Sequence, residues 1–245
     1  MTIREITARL ERRAPASTAE EWDNVGLLIG DPDTVVTGAV VALDATSGAL
    51  ETAQAVGANL LITHHPVIFS PLKRLGENDI PYRAAQMGIR ILCAHTNLDK
   101  APGGVNDELA ARLGLTDVRP AVNGNCRIGS LPIPVDCAVF AADVARELQT
   151  GVRVCGEGFI GTVAVCGGSG GEFMDELMPQ CDLFVTGEVR HHQWIAAQEA
   201  GFAVIEAGHY ATEQPVVDVL YRWLQEDFPM LPITLYDDGE PYIQK

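Results

Sequence analysis

The spacing of apolar residues switches repeatedly along the chain between a helical period and short buried runs. In the first segment Ile3, Ile6 and Leu10 share one helical face, while Thr2 and Glu5 fit a capping box. Predicted strands follow at 27–29, 35–44, 60–63, 89–94, 162–166, 183–186 and 202–206. Further predicted helices lie at 47–56, 83–87, 106–114, 141–149, 172–178, 192–200 and 215–225. Strands that alternate with helices favour an α/β fold with mostly parallel strands.

The second half of the chain repeats the order of the first half. Residues 41–43 resemble 163–165, and residues 61–63 resemble 184–186. Three further pairs follow in the same order: 84–86 with 196–198, His95 and Asp99 with His209 and Glu213, and 105–107 with 216–218. This order favours an internal duplication, and we therefore expect two related domains with α/β/α layers.

A stretch rich in glycine, proline and asparagine joins the two halves, and we place the domain division near residue 122. The first predicted domain, 1–122, carries His64, His65 and Asp99. The second predicted domain, 123–245, carries His209 and Glu213.

The composition is that of a globular protein without membrane spans. Hydrophobic residues make up 47% of the chain, but no apolar run reaches the length of a membrane helix. The first 13 residues lack the apolar centre of a signal peptide, so we expect a cytoplasmic protein. The six cysteines form no C-x-x-C pair, which favours free thiols in a reducing compartment. A net charge of −16 disfavours nucleic acid and anionic membranes as partners.

All six histidines fall into short clusters, and most of them lie just after a predicted strand. His64 and His65 follow the strand 60–63, and Pro66 breaks that strand. Neighbouring strand residues point to opposite faces, so adjacent histidines suit two ions better than one. The alternative is a polar strand end with two solvated imidazoles.

Two further pairs have a histidine followed four residues later by an acid. His209 and Glu213 lie between the strand 202–206 and the helix that begins at Pro215. His95 and Asp99 hold the equivalent place in the first half. We expect each pair to project from one loop, although an acid there can also serve as a helix cap or as an ordinary loop residue.

Two other features leave alternatives open. The glycine-rich run 166–171 can cradle an anion with its amide groups, but such turns are also common as structure. Glu188, Arg190, His191 and His192 follow the strand 183–186. One interpretation is that they support the metal ligands or bind a substrate anion. The other is that they form the charged first turn of a helix.

Three imidazoles and two carboxylates form a ligand set for borderline divalent metals. His64, His65, Asp99, His209 and Glu213 suit Zn, Fe, Mn, Ni or Co better than Cu(I), which prefers sulfur. Two ions about 3.5–4 Å apart can activate water and stabilise a leaving oxygen. The sequence therefore predicts a dinuclear metal centre.

Four ordered motifs resemble the Nif-three-like family, whose members are often labelled GTP cyclohydrolase I type 2 homologues or dinuclear metal centre hexameric proteins. The motifs are 22–27 (WDNVGL), 63–66 (THHP), 95–99 (HTNLD) and 208–213 (GHYATE). The resemblance implies two related α/β domains, a toroidal homohexamer and the same five metal ligands, with His95 close by. It also implies the short form of the family, without the domain that longer members carry mid-chain.

Two classes of function fit these features. The first is a metal-dependent hydrolase of a nucleotide or small heterocycle, in which His95 or Glu188 moves protons. The second is a non-catalytic metal carrier, metal-delivery factor or ring-shaped interaction scaffold. Open coordination positions favour catalysis, whereas labile exchange of the metal favours delivery.

Overall fold

A computed structural model describes residues 1–242. The chain up to residue 102 forms α1 (Ile3–Arg13), β1 (Gly26–Ile29), β2 (Ala39–Ala42), α2 (Ser47–Ala55), β3 (Leu60–Thr63), α3 (Ile80–Met87), β4 (Arg90–Cys93) and α4 (Thr96–Lys100). The next part begins with α5 (Val105–Arg112), β5 (Thr116–Ala121), β6 (Cys126–Asp136), α6 (Cys137–Glu147), β7 (Arg153–Cys155) and β8 (Phe159–Cys166). It continues with α7 (Met174–Leu177), β9 (Leu183–Thr186), α8 (His191–Ala200), β10 (Ala203–Glu206), α9 (His209–Glu213), α10 (Pro215–Asp227) and β11 (Ile233–Leu235).

The first sheet has the strand order β1-β4-β3-β2-β11. Strands β4, β3, β2 and β11 are parallel, and β1 runs antiparallel along β4. All four residues of β3 are buried, as expected for a parallel strand covered on both faces. The helices α2 and α3 pack on one face through Ala49, Leu50, Ala53 and Ala84.

The second sheet has the strand order β5-β6-β8-β9-β10-β7. Its centre, β8-β9-β10, is parallel, but the other described pairings are antiparallel. Residues of α5 and α6 cover one face, and residues of α7 and α8 cover the other. The predicted α/β class is confirmed, and this sheet is more mixed than the sequence predicted.

The described chain divides into two compact units. Unit 1 comprises Met1–Pro102 and Val216–Pro241, and unit 2 comprises Gly103–Pro215 with Tyr242. This division differs from the single break predicted near residue 122. Strand β5 precedes residue 122 but pairs with β6, whereas β11 lies near the end of the chain but pairs with β2.

Local sequence signals account for most element boundaries. The predicted capping box of α1 is present, with the Glu5 amide donating to Thr2 Oγ1 and the Thr2 amide donating to the Glu5 carboxylate. The pattern of apolar residues did not predict β5 and β6. Strand β6 contains Pro132 and Pro134, and its pairing with β8 is irregular between Ser130 and Val135, because a proline has no amide hydrogen to donate.

Two further expectations concern membrane-spanning helices and cysteines. Within residues 1–242, no helix combines the length and apolar character needed to cross a bilayer. All six cysteines are free thiols, as the sequence predicted, and four of them are buried. Burial raises the pKa of Cys181 to about 12, so this thiol stays protonated and unreactive at neutral pH.

Candidate metal centre

The candidate metal-binding residues of unit 1 lie at the carboxyl edge of its parallel strands. Strands β3 and β4 pair in register, with Thr63 opposite Cys93. The residues that follow, His64 and His95, therefore leave the sheet at the same edge. In open α/β sheets this is the edge where ligands bind.

We define the first cluster as His64, His65, His95 and Asp99. One ring nitrogen from each of the three histidines lies within 4.8 Å of the others. His64 is fully buried, and its Nε2 lies 3.7 Å from Asp99 Oδ1. Three imidazoles and one carboxylate thus converge on a small volume, which is the arrangement that a borderline divalent ion requires.

The two adjacent histidines are fixed by acceptors behind them. His64 Nδ1 lies 3.0 Å from the carbonyl oxygen of Ala94, and His65 Nδ1 lies 2.8 Å from Asp44 Oδ1. Both partners accept hydrogen bonds, so Nδ1 carries the hydrogen in each ring. Nε2 of each ring is then left with its lone pair available to a metal.

His95 is held in the same manner by a buried carboxylate. Its Nδ1 lies 2.8 Å from Asp23 Oδ1, and the Asp23 side chain is inaccessible to solvent. Burial by itself raises the pKa of Asp23, but hydrogen bonds from His95 and Thr96 and the charge of His95 lower it well below its usual value. Asp23 is therefore a carboxylate at neutral pH, and it orients the His95 ring.

We define the second cluster as Glu188, His209 and Glu213, all in unit 2. Strands β9 and β10 pair in register with Thr186 opposite Glu206, so the segments after them leave at one edge of the second sheet. His209 and Glu213 begin and end the short helix α9, and His209 Nε2 lies 2.9 Å from Glu213 Oε2. The sequence predicted a loop here. Helical spacing of four residues places both side chains on one face. In unit 1, His95 is the N-cap of α4 and Asp99 lies in the first turn of that helix.

Glu188 lies behind His209 as an acceptor. His209 Nδ1 lies 2.9 Å from Glu188 Oε1. Burial raises the pKa of Glu188, but hydrogen bonds from Ser169 and His209 together lower it by more than burial raises it. The net shift of the pKa is therefore downward. The charge of Glu213 opposes this shift, which means that two carboxylates repel one another around one imidazole. A cation at His209 would relieve that repulsion.

The glycine-rich run before α7 shapes the second cluster. A Cβ at Gly168 would overlap Glu213 Oε1 and approach His209 Nε2 to 3.2 Å. The amides of Gly167, Gly168 and Gly170 already donate to the side chains of Asn106, Thr212 and Thr186. The anion-cradle interpretation of this run is therefore wrong for these three amides, and the glycines serve close packing. Asn106 is buried in this contact and lies inside α5, whose N-cap is Gly104.

The other polar residues that follow β9 lie at the start of the next helix. Arg190, His191 and His192 are exposed at the start of α8. Their position is that of a charged first helical turn, which was one of the two alternatives.

Sequence reasoning missed two of the three carboxylates that orient the histidines. Asp44 follows β2, and it meets His65 because the His65 amide bonds to Leu43 at the neighbouring strand end. Asp23 is 72 residues from His95 along the chain. Its presence in the motif 22–24 was a signal, but the motif alone does not reveal which histidine it contacts.

Comparisons with known proteins show the family of the chain. A family model described as Duf34/NIF3 (NGG1p interacting factor 3) matches residues 1–240. The chain belongs to the Duf34/NIF3 family. A Duf34/NIF3 assignment also confirms the resemblance carried by the four motifs.

Similar proteins span nearly the same length. A protein of Streptomyces coelicolor named GTP cyclohydrolase 1 type 2 homolog is 34% identical over 233 residues, which cover 87% of this chain and 82% of that protein. A Lactococcus lactis protein with the same name is 32% identical over 224 residues, 86% of each chain. The crystal structure of Staphylococcus aureus hypothetical protein SA1388 has a TM-score of 0.89 at 28% identity and covers 99% of both chains.

Proposed function

We propose that this protein binds two divalent metal ions with His64, His65, Asp99, His209 and Glu213 and uses them to hydrolyse a nucleotide or small heterocycle. One observation carries the metal-binding part. Each of the three histidines in this ligand set has its Nδ1 at 2.8–3.0 Å from an oxygen that only accepts. This pattern fixes the tautomer, and it is typical of histidines that ligate a metal through Nε2.

The donor set fits such ions in chemistry and in burial. His64 and Glu213 are buried polar side chains, which are rare unless they are paired or coordinate a metal. Neutral imidazoles with carboxylates suit Zn, Fe, Mn, Ni or Co. No cysteine belongs to either cluster, so the set lacks the sulfur that Cu(I) prefers.

Bound ions would supply Lewis acidity, which lowers the pKa of water and offsets negative charge on a leaving oxygen. The residues of the chain have separate tasks. Glu188 holds the orientation of His209. His95 donates its Nδ1 hydrogen to the ionised Asp23, which fixes the ring and leaves Nε2 to accept and return a proton. We therefore assign proton transfer to His95 and a positioning role to Glu188.

The names of similar proteins support the hydrolytic part of the proposal. The relatives from Streptomyces coelicolor and Lactococcus lactis are named as homologues of GTP cyclohydrolase 1 type 2. That name describes hydrolytic opening of a purine ring, and a metal-activated water suits this reaction.

The first experiment compares metal content and turnover in the wild type and Glu213→Ala. We expect about two transition-metal ions per chain by elemental analysis of the wild type. The variant should lose its bound metal, and it should also stop releasing formate from GTP. Glu199→Ala removes an exposed glutamate of α8 in the same unit and should change neither quantity.

Three outcomes separate the alternatives. Turnover that persists after complete loss of metal would contradict the mechanism. A wild type that binds no metal after reconstitution would make the histidine clusters structural. Metal binding with rapid exchange and no hydrolysis of nucleotides would favour the carrier or delivery function.

A further inference from the structure

The motif 22–24 (WDN) places three consecutive side chains in three different contacts. Asp23 orients His95, as described above. The Asn24 side-chain amide donates to the carbonyl oxygen of Ile68 at 2.6 Å, which fixes the connection after β3 against this turn. The Trp22 side chain makes no hydrogen bond among the described residues. Its contacts are with aromatic rings.

Trp22 and Phe69 form an exposed aromatic pair beside the first cluster. Their ring centroids lie 5.6 Å apart at an interplanar angle of 47°. Trp22 is 58% exposed and Phe69 is 57% exposed. Large aromatic side chains gain free energy by burial, so two of them held in contact with water call for a ligand.

The same pair lies next to the imidazoles. The His95 ring centroid is 6.2 Å from that of Trp22 and 6.4 Å from that of Phe69. His64 and His65 follow at 5.2 and 5.7 Å from His95. A planar ring that stacked on the aromatic pair would therefore present its edge to the first cluster.

We infer that Trp22 and Phe69 form the stacking surface for the planar heterocyclic ring of the substrate. This inference rests on the proposed function and deepens it, because it names the part of the substrate that the protein recognises. Aromatic side chains bind the π-face of any purine or pteridine, so the surface selects a ring rather than one base. Asn24 keeps the two aromatic side chains at a fixed separation through Ile68.

The test measures ligand binding to metal-loaded protein by titration calorimetry. The probes are GTP and pterin, which contain a planar ring, and inorganic tripolyphosphate, which does not. We expect Trp22→Leu and Phe69→Leu each to weaken binding of GTP and pterin by about tenfold, within the range for loss of one stacking contact. Trp22→Phe keeps an aromatic face and should stay within about threefold of the wild type.

Controls separate stacking from general disturbance. Phe159→Leu removes a 79% exposed aromatic side chain of unit 2 and should leave all three affinities unchanged. Tripolyphosphate should bind every variant as it binds the wild type. Metal content should also be unchanged in every variant, since neither aromatic residue is a ligand.

Several results would overturn the inference. One is that Trp22→Leu binds GTP and pterin as tightly as the wild type does. A second is that Trp22→Phe weakens their binding as strongly as Trp22→Leu does. Another is a lower sedimentation coefficient for Trp22→Leu, which would assign the pair to an interface between copies of the chain. Metal-loaded wild type that binds neither ring would refute the stacking surface and leave the metal proposal standing. Wild type without metal would refute both.

Discussion

The two units use the same edge of a parallel sheet in different ways. In unit 1 the residues after the buried β3 are His64 and His65, whereas in unit 2 the residues after the buried β9 are Gly187 and Glu188. A Cβ at Gly187 would lie 2.6 Å from the carbonyl oxygen of Gly168, so the second edge has no room for a side chain there. Unit 1 thus carries mainly imidazoles at this edge, and unit 2 carries a tight backbone around one imidazole and two carboxylates.

The segments that follow β4 in unit 1 and β10 in unit 2 are more alike. His95 with Asp99 follows β4 at the start of the short helix α4, and His209 with Glu213 follows β10 on the short helix α9. Both sheets place an antiparallel strand beside this strand, β1 in one and β7 in the other. A duplication would produce this shared order, and the difference after β3 and β9 would then be where the two copies diverged in chemistry.

The largest expected effect tests the close packing of unit 2. Gly168→Ala should displace Glu213, because the new Cβ overlaps its Oε1, and Gly168 has a φ of +62° that disfavours alanine. We expect the free energy of unfolding to fall by about 3 kcal/mol and metal content to fall with it. Denaturant unfolding and elemental analysis measure the two effects.

Gly114→Ala is the matched control for this change. Gly114 has a φ of +70°, and a Cβ there would meet nothing within 4 Å. It should lose only about 1 kcal/mol from backbone strain and keep its metal. Equal metal loss in both variants would mean that Gly168 acts through general stability and not through Glu213.

A smaller effect compares the carboxylates behind the histidines. Asp44→Asn in unit 1 and Glu188→Gln in unit 2 weaken the acceptors for His65 and His209. Each variant should reduce metal affinity by about 10- to 100-fold, because the ring orientation and basicity depend on that acceptor. Competition with a chelator of known affinity measures the change. If Asp44→Asn has no effect while Glu188→Gln does, only the second cluster belongs to the metal site.

The smallest effect concerns the starts of the buried strands. Before β3, Asn59 accepts from the Thr37 amide at 3.0 Å. Before β9, Asp182 accepts from the amides of Gly161 and Thr162 at 2.9 and 2.8 Å. Burial raises the pKa of Asp182, but these hydrogen bonds lower it below its ordinary value of 3.8. Its stabilisation is therefore present above pH 3.8 and is lost as the pH falls through the lower folded-state pKa.

Asp182→Asn should lower the free energy of unfolding by about 1 kcal/mol at pH 7, and the difference from the wild type should shrink below pH 3.8. Urea unfolding from pH 7 to pH 3 with a chelator present measures it. Asn59→Ala should give a loss that does not depend on pH, since no group titrates there. A constant deficit for Asp182→Asn would show that its charge contributes nothing.

Local signals in the sequence were sufficient for much of the fold. The helical face of Ile3, Ile6 and Leu10, its capping box, and the apolar runs 60–63 and 183–186 all correspond to observed elements. These signals are read from neighbours a few residues apart. Strands β5 and β6 have many exposed positions and contain prolines, so the spacing of apolar residues did not reveal them.

What the sequence by itself determined is the inventory of metal-binding residue types and their position after strands. The motifs place histidines and acids where parallel strands end, because strand and helix periods depend only on local order. Tertiary structure alone decided that Asp44 backs His65, that Asp23 backs His95, and that the amides of the glycine run are already bonded. Those contacts join residues 16 to 72 positions apart, and their geometry depends on strand register and packing, which no local pattern encodes.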